Sequence, residues 1–222
     1  MRIRSAQFAA ALLALMLIVS ACAAEDDSTQ EPGGDDQSPT VPGDTEPAPE
    51  PEPKPEPEPD VRSAPAGADD CSASGQSVTV LPAPDLDDTV LAMRDFLIDA
   101  ALRCDESMLQ TAIDESSQFS FSFGGDTDAL GYWWDLEEAG DEPFLRLAQV
   151  LATTPALAEG GQVVVFPRVT TGRPADTTDE AIDELTWIDE QRRETILGDT
   201  GYLDWRAGIS LDGEWRFFVR GD

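Results

Sequence analysis

Apolar residues recur at helical spacing in the C-terminal part of the chain. The clearest stretch spans residues 85–103, where steps of three and four residues predict an amphipathic helix. Its apolar face consists of Leu86, Val90, Met93, Leu97 and Ala101. A second, shorter helix is predicted over residues 106–113. The folded part of the chain therefore begins with helices.

Two further helices have recognisable starts. Asp141 is predicted to cap the first of them, with Pro143 in its opening turn. The apolar positions predict an inner face of Phe144, Leu147, Ala148 and Leu151. Thr177 and Glu180 have capping-box spacing, and apolar residues continue from there at helical steps to Ile188.

Other stretches alternate with a period of two, which is typical of half-buried strands. Residues 118–123 place three aromatic rings on one face, namely Phe119, Phe121 and Phe123. Residues 162–166 form a short β-branched run that Pro167 interrupts, which predicts a strand end or an edge strand.

Near the C-terminus, two alternating runs over 202–211 and 214–220 flank Asp212-Gly213. This dipeptide predicts a two-residue hairpin turn with positive φ at both positions. The element order predicts an α+β domain over residues 71–222, with helices packed on a curved antiparallel sheet. The order of helices first and strands last resembles the NTF2-like cone, and that resemblance implies a sheet that wraps a pocket.

Two segments of this domain are similar to parts of uncharacterised bacterial envelope proteins. They are Phe121-Ser122-Phe123-Gly124-Gly125 and the closing residues 212–222, which contain a Gly-x-Trp strand and a final Gly-Asp. The resemblance implies kinship and carries no activity with it.

The N-terminus has the layout of an export signal. Arg2 and Arg4 precede an apolar run over residues 8–19, which is too short to span a membrane. Val19-Ser20-Ala21-Cys22 resembles a bacterial lipobox, which implies a signal peptide over 1–21 and a lipidated Cys22. Multiple acyl chains on that cysteine would anchor the chain stably in a bilayer. The alternative is an ordinary secretory signal.

Residues 22–70 are predicted to be a disordered linker. Residues 23–70 contain 11 of the 17 prolines and no aromatic residue, so they cannot bury enough surface to order themselves. Proline occupies every second position from Pro47 to Pro59, which favours extended polyproline II. The segment is interpreted as an acidic stalk, or as a solvated tail.

Charge and composition exclude several function classes. The 222 residues include 45 acidic and 14 basic side chains, a formal charge of −31, which disfavours nucleic-acid binding. The chain contains no histidine, which removes imidazole acid–base chemistry and the commonest metal ligand. Asp126, Asp128, Gly131 and Glu137 have EF-hand spacing, but Leu130 occupies a ligand position, so we predict no metal site and no cofactor.

Two cysteines remain besides Cys22. In an exported chain, Cys71 and Cys104 predict one disulfide that joins the start of the domain to the end of the first helix. The alternative, a reactive thiol, lacks the basic neighbours that would lower its pKa.

Aromatic residues are concentrated in the domain and suggest a pocket with polar anchors. Tyr132-Trp133-Trp134 cannot all face inward, so at least one ring is predicted to lie at a rim. Asp204 is the carboxylate we single out for acid–base chemistry. The candidate ligand- or partner-binding residues are Phe119, Phe121, Trp133, Trp134, Tyr202, Asp204, Trp205 and Arg206. The alternative is a plain hydrophobic core.

Together these features predict a lipoprotein on the extracytoplasmic side of the cell membrane, or of an outer membrane if the host has one. Its partners are the bilayer, reached through the Cys22 acyl chains, and a small apolar ligand or an envelope protein. We predict binding without catalysis. The alternatives are a carboxylate-dependent hydrolase or isomerase, and a structural envelope component.

Overall fold

The computed structural model describes residues 58–63, 71–122, 124–158, 160–172, 177–198 and 201–221. It confirms the α+β class. The elements are β1 (Asp60–Ser63), β2 (Ser77–Val80), α1 (Asp88–Leu102), α2 (Glu106–Glu115), α3 (Ala129–Ala139), α4 (Pro143–Ala152), β3 (Ala156–Leu157), β4 (Val163–Phe166), a 3₁₀ turn (Arg168–Thr170), α5 (Asp179–Asp183), α6 (Glu190–Leu197), β5 (Arg206–Ser210) and β6 (Trp215–Val219). The predicted signal peptide and Cys22 lie outside the described residues.

Helices α1 and α4 pack against each other and against the larger of two antiparallel sheets. That sheet has the strand order β3-β4-β5-β6, and both helices contact β5. The predicted inner face of α4 is confirmed, since Phe144, Leu147, Ala148 and Leu151 are all buried. None of the helices in the described ranges has the length and apolarity that a membrane span requires.

The predicted helices are found with shifted ends. α1 begins at Asp88 rather than residue 85, and α2 continues two residues beyond the predicted range. Glu142, not Asp141, is the cap residue of α4. These ends differ because periodicity places the apolar face of a helix but not its terminal hydrogen bonds.

The helix predicted from Thr177 to Ile188 is wrong in its cap and its extent. The Thr178 side chain accepts a hydrogen bond from the Ala181 amide, and α5 ends at Asp183. Leu185 lies beyond that end, yet it is buried in a small second core with Ile182. The apolar residues from Ile182 to Ile188 therefore have helical spacing although the chain leaves the helix after Asp183.

The segment 118–123 was predicted to be a strand, and this is wrong. It meets β6 at one parallel bridge, Ser120 to Phe217, where the Ser120 amide donates to the Arg216 carbonyl at 3.0 Å. The alternation still places Phe119 and Phe121 against the core. Phe123 lies outside the described residues.

Residues 162–166 are predicted well, since β4 ends at Phe166 directly before Pro167. β4 is an interior strand, however, because β3 and β5 pair with its two sides. The edge interpretation is wrong, and the strand-end interpretation is confirmed.

The C-terminal hairpin is confirmed, but its turn differs from the prediction. Gly213 has a φ of +88°, whereas Asp212 is not among the described residues with positive φ. The Gly213 amide donates to the Ser210 carbonyl at 2.9 Å, and the Glu214 amide donates to the Ser210 hydroxyl at 3.0 Å. The turn therefore spans more than two residues because Ser210 organises it.

The linker prediction is wrong at residues 60–63, which form β1. This strand pairs antiparallel with β2, with Asp60 opposite Val80. Arg62 forms an ion pair with Asp95 of α1 at 2.9 Å. Backbone pairing and this ion pair order four residues that bury little apolar surface.

The predicted disulfide between Cys71 and Cys104 is confirmed, with Cα atoms 6.3 Å apart. Cys104 has a φ of +53° at the end of α1. Its amide donates a hydrogen bond to the Ala101 carbonyl, and the Asp105 amide donates one to the Ala100 carbonyl. This is the Schellman pattern, which usually has glycine at the left-handed position. α3 ends in the same pattern with Gly140 at φ +84°.

Candidate functional site

Trp133 and Trp205 lie in the core rather than at a cavity wall. Trp133 is 1% exposed, and its ring centroid lies 5.6 Å from that of Trp215 and 5.5 Å from that of Phe218. Trp205 stacks on Phe218 with a centroid distance of 4.7 Å. Other rings therefore cover the faces of both residues, as the alternative of a plain hydrophobic core predicted.

The prediction for the three adjacent aromatic residues is confirmed. Helix α3 was not predicted, and it turns Trp133 inward while Tyr132 and Trp134 stay partly exposed. The Trp134 indole N–H donates to Glu106 Oε1 at 2.7 Å, and its ring contacts Phe144. Trp134 therefore ties α3 to the start of α2 at the rim of the core.

Asp204 and Tyr202 belong to a buried polar cluster. The Asp204 carboxylate, with 4% of its side chain exposed, faces Arg192 of α6 at 3.5 Å and Arg220 at 3.7 Å. The Arg220 guanidinium also lies over the Trp205 ring, 5.7 Å from its centroid. We call this ion-paired group of Asp204, Arg192 and Arg220 the clamp; Arg220 also pairs more closely with Asp141, at 2.6 Å.

Tyr202 completes the clamp. Its hydroxyl donates to the Trp205 carbonyl at 2.6 Å. Burial raises the pKa of Tyr202 far above its ordinary value, and the nearby Asp204 carboxylate raises it further. The positive charge of Arg206, which is half-buried at the start of β5, lowers the pKa of Tyr202. The phenol is therefore a neutral hydrogen-bond donor and not a proton carrier near neutral pH.

Phe119 and Phe121 line an open cavity of about 370 Å³, which we call the aromatic cleft. Their rings are nearly parallel, with centroids 6.3 Å apart and planes 19° apart. The buried Trp133 supports both rings edge-on from behind, at 6.2 and 6.4 Å. The other residues that line the cleft are Gln110, Ile113, Asp126, Thr127, Asp128 and Ala129. Its volume falls within the range of small-molecule sites, about 300–1,000 Å³.

The outer wall of the aromatic cleft is acidic and held by hydrogen bonds. Asp126 Oδ2 accepts a hydrogen bond from the Ser122 hydroxyl at 2.7 Å, and Asp128 Oδ1 accepts one from the Gly131 amide at 3.0 Å. The second bond is the N-cap of α3. The Asp-Thr-Asp sequence before α3 was therefore a capping signal, and the sequence analysis considered it only as a metal motif.

Two other grooves lack these features. One, of about 390 Å³, lies between β2, α4 and α5, and arginines pair with two of its carboxylates: Arg193 with Asp183 at 2.6 Å and Arg168 with Glu184 at 2.8 Å. The other, of about 340 Å³, lies between residues 82–87 and 154–157 and is mostly apolar. Neither contains a residue that the sequence analysis named as a binding candidate.

The structure thus distributes the eight predicted binding residues over four places. Phe119 and Phe121 form the cleft floor, Trp133 and Trp205 are core, and Trp134 lies at the α2–α3 rim. The remaining three surround the buried clamp: Tyr202, Asp204 and Arg206. No sequence pattern points to the two α2 residues of the cleft, Gln110 and Ile113, because helical spacing does not show which remote segment a helix faces.

The stretch with EF-hand spacing is the capped start of α3, whose helical backbone begins at Ala129. Across the described ranges, no three His, Cys, Asp or Glu side chains are grouped so as to hold a metal ion.

No family model, no curated protein and no solved structure matches this chain. The aromatic cleft is the candidate functional site on the basis of its own geometry, namely a supported aromatic floor facing an acidic wall.

Proposed function

We propose that this chain is a lipid-anchored extracytoplasmic protein whose α+β domain binds a small ligand in the aromatic cleft without catalysis. One observation carries the proposal: two half-buried phenylalanine side chains line an open cavity of small-molecule size. Because Trp133 supports these rings from behind, the cleft is formed before a ligand arrives. A pre-formed apolar floor is what a binding site of this size needs.

The N-terminal sequence and the disulfide support the membrane anchor. The N-terminal charge, apolar run and Cys22 follow the order of a lipoprotein signal. The Cys71–Cys104 disulfide is typical of an oxidising compartment outside the cytoplasm. A tethered domain needs a connecting segment, and the acidic proline-rich residues before it suit that purpose.

Binding is favoured over catalysis because Asp204, the carboxylate proposed for acid–base work, is buried and faces two arginines. The NTF2-like cone stays a prediction. It is supported by two helices that cover one antiparallel sheet, but its pocket would lie where Trp133, Trp215 and Phe218 pack together. We therefore place the binding site at the aromatic cleft.

The anchor is tested by mass spectrometry of the chain isolated from membranes of its native host. We expect a mature N-terminus at Cys22 that carries a diacylglyceryl thioether and an acylated amine. An unmodified cysteine, or a chain that begins elsewhere, would show that the anchor proposal is wrong.

The binding site is tested by incubating the Cys22→Ser chain with a small-molecule extract of the host. Compounds retained after dialysis are identified by mass spectrometry. Phe121→Ala should lose the retained compound, while Leu157→Ala, a truncation in the separate apolar groove, should keep it. Equal retention by both variants would exclude the aromatic cleft, and no retention by the parent would exclude ligand binding.

A further inference from the structure

We infer that the aromatic cleft takes an organic cation, with an alkylammonium head placed over the rings of Phe119 and Phe121. This inference rests on the proposed role of the cleft as a binding site and adds the chemical class of the ligand. It depends on three observations: the aromatic floor, the charge of the facing wall, and the absence of a cation among the lining residues.

The floor of the cleft is aromatic. Phe119 and Phe121 both line the cleft, and their rings are nearly parallel, with planes 19° and centroids 6.3 Å apart. The Tyr132 ring lies beside Phe121, tilted by 51° and with its centroid 5.7 Å away. The face of an aromatic ring carries negative electrostatic potential, which attracts an ammonium group with an apolar envelope.

The wall opposite the floor carries uncompensated negative charge. Asp126 and Asp128 form no ion pair with any arginine in the described part of the chain, and the cleft is lined by neither Lys nor Arg. The groove between β2 and α5 differs, because arginines pair with its Asp183 and Glu184. The aromatic cleft therefore offers its carboxylates to a cation that comes from outside.

The same features disfavour other ligands. An anionic ligand would be repelled by the two carboxylates, and a neutral apolar one would gain nothing from them. A bare metal ion does not need an aromatic floor, and the described residues contain no group of three ligating side chains. An adjoining open cavity of about 500 Å³, which shares Asp126 and Asp128, leaves room for the body of the ligand.

The test compares choline with 3,3-dimethylbutan-1-ol, its uncharged isostere of nearly the same shape. Each is titrated into the full Cys22→Ser chain at 0.15 M salt and followed by amide chemical shifts. Choline should shift the amides of residues 119–128 saturably, and the alcohol should bind about tenfold more weakly. Equal affinity for the two compounds would overturn the inference.

Three variants locate the effect. Phe121→Leu keeps an apolar side chain but removes the ring face, and we expect about fivefold weaker choline binding. Asp126→Asn should weaken choline binding about threefold. Asp85→Asn, an exposed residue at the separate apolar groove, makes the same charge change and should leave the affinity unchanged. If Asp85→Asn weakened binding as much as Asp126→Asn, the effect would be overall charge, and the inference would be wrong.

The two proposals fail in different ways. If the alcohol shifts residues 119–128 and choline does not, the cleft binds neutral compounds, so the cation inference is overturned and the binding site stands. If neither compound shifts these residues, the cation inference is also overturned. The binding site is then judged separately by the compounds retained from the host extract.

Discussion

Removal of the Cys71–Cys104 disulfide provides a sharp test of how the domain is held together. The bond joins residues 33 positions apart, and it fixes the segment before β2 to the end of α1. In the chain-entropy model, closing a loop of this length raises the free energy of the unfolded chain by about 3.7 kcal/mol. We therefore expect Cys71→Ala/Cys104→Ala to lose about 3–4 kcal/mol of unfolding free energy.

The second part of the test separates the crosslink from the backbone conformation at Cys104. Its φ of +53° costs an L residue about 1 kcal/mol, and glycine avoids that cost. In a Cys71→Ala background, Cys104→Gly should therefore be about 1 kcal/mol more stable than Cys104→Ala. Gly140→Ala, at the same position of the motif on α3, is the matched control and should lose about the same amount.

The assay is urea unfolding followed by tryptophan fluorescence, since Trp133 and Trp205 are buried and should report loss of the core. Equal midpoints for the parent and the double alanine variant would refute the stabilising role of the disulfide. If Cys104→Gly were no more stable than Cys104→Ala, the left-handed cap would be the wrong explanation of that helix end.

Three further variants test the core and the clamp. Asp204→Asn leaves two arginines facing an uncharged group; because both are more than one-third exposed and Arg220 keeps its pair with Asp141, it should cost about 1 kcal/mol in urea unfolding, whereas no loss would refute the clamp. Burial raises the pKa of Tyr202 above its ordinary value of 10.0. The stability that the neutral phenol provides is therefore complete below pH 10 and is lost as the pH rises above that value. Tyr202→Phe, which also loses the bond to the Trp205 carbonyl, should flatten the fall of the unfolding midpoint between pH 10 and 11.5; an unchanged slope would contradict this. Gly208→Ala should cost about 1–3 kcal/mol because its Cβ would overlap the Phe217 ring, and Gly208→Ala/Phe217→Leu should recover part of that loss if the clash is the cause.

Local sequence patterns were sufficient to predict the helices that have a strong apolar face. α4 was predicted with its whole inner face because Phe144 and Leu147 repeat at helical steps behind Pro143. The Cys71–Cys104 disulfide was also predictable, because two cysteines in an exported chain leave one pairing. α3 was not predicted, although Asp128 has the position of an N-cap.

The candidate site depended on contacts that no local pattern contains. The alternation at 118–123 correctly turned Phe119 and Phe121 toward the core, yet it wrongly predicted a strand, because pairing depends on how β6 approaches from 97 residues further along the chain. The sequence by itself determined which side chains avoid water and where the charges lie. Only the tertiary structure decided that Trp133 fills the core while Phe119 and Phe121 line a cavity, because the packing of remote segments determines whether aromatic rings form a solid core or one wall of a cleft.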